Sequence, residues 1–450
     1  MKKNDQLLLS CVSLGSNMEG ICKHDNLVVF VPGMLPGETA LVLILKVLSK
    51  YAYGRILTLN SKPSASRASS DCESFPSCGG CSCRHMLYED TLIAKQNMVQ
   101  HCLHSIAHME IAVQPVIGME NPYHYRNKAS FPIGGTAEDP VIGFYAQRSH
   151  RIISCSKCQN AETASDNIIQ SFLAWIKRNK VAPYNEVTGT GILRHIVIRT
   201  NYLGQSLVTV VINQHSSDIL RSFVPELEKN HVIGLVANYN LERTNVILGK
   251  HYETVYGAST ISDKIGEIEY QISPASFFQV NRIQTKKLYD TVKSYAQLTS
   301  TDILADVYCG IGTISLYLAR ECKYVTGIEI VPQAIQNAII NAKQNEISNV
   351  HFQCAPAQVA LPQLVQNGFR PNVIVVDPPR KGLDSEVIQS IGSALPDRIV
   401  YVSCNPATLA RDLSLLQQYD YMPEKVQPVD MFCWTSDVET ICLLSRNKSI

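Results

Sequence analysis

"DVYCGIGTISL" (306–316) joins the end of an apolar, strand-like run to a glycine turn and then to the start of a helical pattern. Gly310 and Gly312 let the chain reverse tightly and bring backbone N–H groups close to a ligand at a helix start. Nineteen residues beyond Gly310, Glu329 closes the next apolar run, "YVTGIEI" (324–330). A carboxylate there is placed to take a ribose hydroxyl pair. Two glycines alone are also what any tight strand-to-helix turn needs; the acid is what points to a nucleoside-bearing cofactor. A dinucleotide fingerprint asks for a third glycine, and Ser315 stands in its place, which disfavours a nicotinamide dinucleotide.

Working outward, helical and strand-like patterns alternate from about residue 282. A helix near 282–298 is followed by "DILADVY", a helix, "YVTGIEI", a helix, "VIVVDPP", a helix, "RIVYVS", a helix and "ETICLLS". This alternation predicts an α/β unit with a doubly wound, mostly parallel sheet. Methyltransferases that use S-adenosyl-L-methionine bind it in the same crevice with a looser glycine pattern. "DPPRKG" (377–382) ends another strand at its carboxyl end, where such sheets keep their reacting groups. Pro378 and Pro379 stiffen that loop, so Asp377 either faces the ligand or is an exposed turn acid.

The following strand delivers a cysteine: "YVSCNPATLARDL" (401–413) stops at Cys404, before Asn405-Pro406, and a helical pattern resumes. Cysteine is commonly a small buried hydrophobe, yet this one caps a strand at the ligand edge. Carbon 5 of uracil is too weak a nucleophile to attack a methyl sulfonium directly. A thiolate added to carbon 6 makes carbon 5 enolate-like and divides one hard step into easier ones. A base must afterwards remove the carbon 5 proton. Glu439, opening the strand "ETICLLS", is the candidate base, against the alternative of a solvated strand-end acid.

The whole chain suits this reading. At 450 residues it predicts two or three domains. Its net charge of +1 means that any nucleic-acid site is a local basic patch. Leu7-Leu8-Leu9 is too short for a signal peptide, and "ALVLILKVL" is too short to span a bilayer. A cytoplasmic protein with reduced thiols and no membrane partner is expected. Its scattered cysteines then serve packing, and its clustered ones metal or catalysis. Short apolar runs separated by "PGMLPGE" predict a small β-barrel over 7–60. "NSKPSASRASS" (60–70) reads as a linker. A helix is expected near 90–107, and a mixed α+β region, with a helix near 166–179, over 123–273.

Together these motifs carry a family. "SFFQVN" (276–281), "DVYCGIGT", "DPPRKGLD", "VSCNPATLARDL" and "VDMF…VET" occur in the order found in the RNA 5-methyluridine methyltransferases, the TrmA/RumA group, which the chain resembles nearly end to end. The resemblance implies three domains. Residues 1–62 are an OB-like TRAM barrel that binds RNA, 63–273 a central domain, and 274–450 a Rossmann-like class I methyltransferase domain. It implies that Gln279, Tyr308, Gly310, Glu329 and Asp377 contact S-adenosyl-L-methionine or the target uracil. Cys404 is then the nucleophile and Glu439 the base. "YRNKASF" (125–131) and "LRHIVIRT" (193–200) also look like family motifs, making Arg126, Lys128, Arg194 and His195 candidate RNA contacts. The family commonly writes "DMFPxTxHVE", where this chain has Cys433 for the proline and Asp437 for the histidine.

Cys72, Cys78 and Cys81, with the distant Cys158, form a possible four-thiolate cage; Cys83 and Cys155 are spare thiols nearby. Spacing alone leaves zinc and a four-iron cluster open, and the resemblance implies a [4Fe-4S] cluster. The expected substrate is an RNA loop with its target base flipped out. By the resemblance, the barrel and the cysteine cluster imply 23S rRNA as the substrate, with tRNA as the alternative; a monomer is the expected state. Three rivals remain: an amine methylator of the same fold, a non-catalytic iron-sulfur RNA-binding protein, and a folate- and flavin-dependent methylator. The last is disfavoured by the lack of a flavin-type GxGxxG near the start.

Overall fold

Short apolar runs broken by Gly and Pro turns close the first sixty residues into a barrel. In the computed structural model, which describes residues 1–155 and 157–447, these are β1 (Gln6–Leu14), β2 (Gly20–His24), β3 (Leu27–Val31), β4 (Thr39–Val47) and β5 (Tyr51–Leu59), in the order β1-β2-β3-β5-β4. Leu9, Cys11, Cys22, Val29, Val31, Val42 and Ile44 point inward and fill it, at the period of two that a strand imposes. The stretch expected as a linker is pinned instead. Arg67 donates to both carboxylate oxygens of the fully buried Glu38, each at 2.6 Å, and to the Gly33 carbonyl at 2.7 Å. Its partner lies 29 residues upstream, out of reach of any local reading of a serine-rich segment.

The middle of the chain runs α1 (Tyr88–Ser105), β6 (Lys128–Gly135), β7 (Pro140–Tyr145), β8 (Ile152–Ser154), α2 (Ala164–Asn179), β9 (Leu193–Thr200), β10 (Ser206–Ile212), α3 (Asp218–Arg221), α4 (Val224–Leu227), β11 (Val232–Tyr239) and β12 (His251–Gly257). The strands form one sheet ordered β12-β11-β10-β9-β6-β7-β8. β9 and β10 are buried along their whole length. Ile168, Ile169, Phe172, Trp175 and Ile176 of α2 cover one face. The helix α1 goes elsewhere. Its buried stripe, Thr91, Lys95, Val99 and Leu103, packs against the sheet that follows.

That third unit opens with the hairpin β13 (Ile261–Ile265) and β14 (Ile268–Ile272). It continues with α5 (Arg282–Ala296), β15 (Ile303–Val307), α6 (Thr313–Ala319), β16 (Tyr324–Glu329), α7 (Pro332–Gln344), β17 (Val350–Cys354) and α8 (Ala357–Gln366). Then come β18 (Val373–Val376), α9 (Ser385–Ala394), β19 (Arg398–Ser403), α10 (Pro406–Leu416), β20 (Tyr421–Val429) and β21 (Glu439–Arg446). The order is β17-β16-β15-β18-β19-β21-β20. The first five strands are parallel, and β21 runs antiparallel to both its neighbours. Val373–Val376 are fully buried, each contributing about 1.5–3 kcal/mol. The strand order reverses between β15 and β18, which opens a crevice at their carboxyl ends. No helix among the described residues is long and apolar enough to cross a membrane.

Candidate active site

The crevice is built around β15. After Val307 the chain turns through Tyr308, Gly310 and Gly312 at φ of 71°, 56° and 81°. The left-handed conformation costs a tyrosine energy and marks a constrained site. Glu329, at the end of β16, accepts from the N–H groups of Gly310 (3.2 Å) and Val331 (2.9 Å). The acid therefore also braces the glycine turn. A Cβ on Gly310 would meet nothing within 4 Å, so the crevice is open there. Tyr308 Oη and one oxygen of Asp306 are buried with no hydrogen-bond partner among the described residues.

The sequence reading passed over Asp306. It is fully buried and accepts from Ser315 Oγ at 2.5 Å, which ties the start of α6 to β15 and accounts for serine where a third glycine was sought. Burial lifts Asp306 to about 6, against the lowering bond from Ser315. Burial, with Asp306 nearby, lifts Asp377 to about 7. Gln279 is buried, and its backbone carbonyl accepts from Asn127 at 3.0 Å.

Cys404 and Glu439 are brought together by register. Ser403 pairs with Thr440 across β19 and β21, so Cys404, one residue on, faces Glu439, one residue back. Residues opposed in an antiparallel pair lie about 4.5–5.5 Å apart at Cα. Asn405 caps α10 by accepting from the Ala407 N–H at 3.1 Å, and it donates to the Arg380 carbonyl at 3.2 Å. Pro406 occupies the first helical position, where its missing N–H costs nothing. Asn-Pro thus ends the strand and starts the helix at once, leaving Cys404 half-buried in the crevice. Burial, then Glu439 and Asp377, push its thiol up to about 11, with Arg380 acting the other way. Glu439 is buried. That burial, with Asp377 and Asp437, lifts it to about 8. Asp437, the departure from the family pattern, pairs with Arg380 at 3.0 Å.

The loop before Glu439 is held from three sides. Lys95 of α1 and Asp430 form a fully buried ion pair at 2.5 Å. Tyr88 donates to the same carboxylate at 2.7 Å. The N–H groups of Ser82 and Cys83 donate to the Trp434 carbonyl at 2.9 and 3.2 Å. Arg84 lies over the rings of Tyr123 and Trp434, 5.5 and 5.1 Å from their centroids.

Cys72, Cys78, Cys81 and Cys158, with Cys155, line one cavity of about 320 Å³ together with Arg84, Arg126 and Lys128. Gly80 N–H and Asn160 Nδ2 donate to Cys78 and Cys81, each at 3.3 Å. A hydrogen bond shared with Cys155 draws the Cys158 thiol down, while burial pushes Cys78 up to about 11. Among the described residues, no group of three or more His, Cys, Asp or Glu side chains converges to hold a metal ion. Arg126 and Lys128 are half-buried, and burial lowers Lys128 to about 8. Arg194 and His195 are buried at the far end of β9 and do not join this group.

One opening reaches Cys404, and a larger one adjoins it. The first, of about 230 Å³, is lined by Cys404, Arg380 and Asp437, by Met98 and Cys102 of α1, and by Ser16 and Asn17 of the barrel. A second, of about 670 Å³, shares Asn17, Ser436 and Asp437 with it and extends past Arg126 to Phe30 and Tyr53. Phe30, Tyr51 and Tyr53 form an aromatic cluster with centroids 5.6–5.8 Å apart, and Arg148 lies 4.4 Å over Tyr53.

Comparison with known proteins agrees with this architecture. The family model for tRNA (uracil-5-)-methyltransferase matches residues 87–447, and the TRAM domain model matches residues 11–57. An uncharacterized RNA methyltransferase of Clostridium acetobutylicum is 43% identical over 99% of this chain and 98% of its own length. Another from Halalkalibacterium halodurans is 40% identical over 99% and 98%. Among solved structures, the Pyrococcus abyssi tRNA (uracil-54, C5)-methyltransferase in complex with S-adenosyl-L-homocysteine shares the fold at a TM-score of 0.78 and 24% identity, covering 97% of this chain and 99% of that one. With a TRAM domain on its barrel and a uracil-5-methyltransferase match across the rest, the chain belongs to the tRNA (uracil-5-)-methyltransferase family and is an RNA uracil-5-methyltransferase.

Proposed function

We propose that the enzyme methylates one specific uridine of 23S rRNA through a covalent bond between Cys404 and the uracil. The observation that carries this reading is the strand register that sets Cys404 against Glu439 at the mouth of the crevice. S-adenosyl-L-methionine, when bound, supplies an electrophilic methyl group. The residues present fit it. Glu329 ends β16 at the ribose position, Gly310 leaves the crevice open, and Tyr308 Oη and Asp306 offer buried polar atoms without partners. Gln279 and Asp377 are the further residues proposed to hold it.

Cys404 loses its proton and its thiolate adds to carbon 6 of the flipped uracil. Electron density moves to carbon 5, which forms the new carbon–carbon bond to the methyl group as the methyl–sulfonium bond breaks, its electron pair staying on the sulfur of the departing thioether. Glu439 takes the carbon 5 proton, the ring double bond reforms, and the thiolate leaves. Arg380, whose charge draws the Cys404 thiol down, favours the thiolate at both ends of the cycle.

The barrel, the middle region and the third unit, whose core takes in the hairpin β13–β14, divide the work: the barrel and the middle region grip RNA while the third unit performs the chemistry. Phe30, Tyr53 and Arg148 give a stacking and phosphate-binding surface leading to Cys404, with Arg126 and Lys128 beside it. Cys72, Cys78, Cys81 and Cys158 would hold a [4Fe-4S] cluster. The cavity between them suits a group larger than one ion, and the N–H donors and arginines around it suit thiolate charge. Its role is structural, because the cysteine loop holds the Trp434 carbonyl. Transfer RNA is the second reading, favoured by the family description.

RNA carrying 5-fluorouridine decides the chemistry, since fluorine cannot be removed as a proton. Wild-type enzyme should form a denaturant-stable RNA adduct and Cys404→Ala none. Methyl transfer with no adduct would refute the covalent route. Mapping 5-methyluridine in 23S rRNA and tRNA from cells with and without the gene identifies the substrate, and iron and sulfide analysis after anaerobic purification tests the cluster.

A further inference from the structure

A cavity of about 670 Å³ opens at the far end of the middle sheet. It lies roughly 20 Å along β6 from Lys128 and the cysteine-lined cavity. Its floor is made by an irregularity in β9. Val211 of β10 pairs with His195 and Ile212 with Leu193, so Arg194 is an extra residue. A bulge of this kind re-aims side chains, and Arg194 and His195 both line the cavity. Arg194 is fully engaged. Its guanidinium donates to the carbonyls of Asn240 and Glu242, each at 2.7 Å, and of Thr244 at 3.3 Å, and it lies 4.6 Å from the Tyr184 ring centroid. It thereby fixes the loop that forms one rim.

His195 is not engaged. It is 9% exposed, and neither ring nitrogen has a hydrogen-bond partner among the described residues. Burial holds its pKa down at about 4, so it offers one N–H donor and one nitrogen acceptor at neutral pH. Tyr145 and Tyr184 form aromatic walls, and the Glu186 carboxylate stands at the mouth, accepting from Tyr145 Oη and contacting His150 Nδ1. Val187, Val246 and Ile247 ring the opening at 87%, 61% and 37% exposure. Apolar side chains left in water around a concave polar floor mark a binding site.

We propose that this cavity grips one unstacked nucleobase of the substrate RNA, at a point remote from the methylated uridine; the inference rests on the RNA-methylating function. A flat base lies against the tyrosines and the apolar rim, and its edge reaches His195 and Glu186. Guanine matches best. Its N1–H and N2–H donors sit side by side, as a carboxylate requires, and its O6 or N7 accepts from the single imidazole N–H. A flipped base is what sequence-specific RNA recognition reads. Exposed Arg151, between the lining residues His150 and Ile152, is placed for the adjoining phosphate.

The test uses the full-length enzyme and an RNA transcript that it binds. Val246→Glu, on the rim, should raise KM for that RNA about tenfold, with kcat, KM for S-adenosyl-L-methionine and thermal midpoint at wild-type values. Glu186→Gln should shift KM in the same direction. Transcripts bearing 6-thioguanosine should crosslink to the peptides holding Tyr145 or Tyr184. Unchanged KM in both variants, or crosslinks only elsewhere, would overturn the proposal, as would a peptide or protein filling the cavity without competing with RNA. Crosslinking needs no turnover, so a wild-type enzyme that methylates no uridine would defeat the catalytic reading and leave this test standing.

Discussion

Glu439 is mostly protonated at neutral pH, because burial and the charges of Asp377 and Asp437 lift it to about 8. A base must lose its own proton before taking another, so release of the methylated adduct should quicken as pH rises through about 8. Glu439→Gln should abolish that pH dependence, lower kcat by about 10²–10⁴-fold, and let the methylated adduct accumulate. A pH series of single-turnover rates with quantified adduct checks all three. If the variant keeps the wild-type profile, Glu439 is not the base. Both Cys404 and Glu439 were legible in the sequence because each stands where an apolar run meets the crevice. Asp306 was not, since its meaning depends on burial and on Ser315 across the turn. Nor was the partnership of Asp437 with Arg380, which spans 57 positions.

At the level of elements, α1 shows what a periodicity can and cannot say. Its spacing marks a helix, but the sheet it covers lies some two hundred residues on, and its buried stripe contains a lysine. That Lys95 is matched by Asp430. Lys95→Met should destabilise the protein by about 3–5 kcal/mol, because it strands a buried carboxylate. Adding Asp430→Leu should recover much of the loss. Urea unfolding of the single and double variants measures both, and a near-neutral single variant would show the pair to be dispensable. Two strands of the alternating stretch after residue 282 escaped the sequence reading, and both are at the edges of its sheet. β20 carries Pro423 and Pro428, which argue against a strand except at an edge. β17, only Val350–Cys354, is short and mostly half-exposed or exposed, as edge strands tend to be.

The whole molecule is organised around the junction of three units at Cys404. The barrel reaches that junction through Ser16 and Asn17 and is moored by Glu38 to Arg67 and by a small apolar contact of Met18 and Leu35 with Cys83 and Met86. Glu38→Gln in the full chain should weaken the mooring. Protease sensitivity within 60–70 should rise and KM for RNA should grow about tenfold or more, while S-adenosyl-L-methionine binding holds. Limited proteolysis and methyl-transfer kinetics read these out, and an unchanged KM would mean that the barrel is not part of the RNA grip. The strand order carries one more consequence. β21 lies between β19 and β20, although the ribosome makes it after both. A nascent chain therefore waits with a gap in its sheet and two bare edges. The strand that fills the gap also brings the acid opposite the thiol, so the pairing that completes the sheet is the one that assembles the two groups proposed for the chemistry.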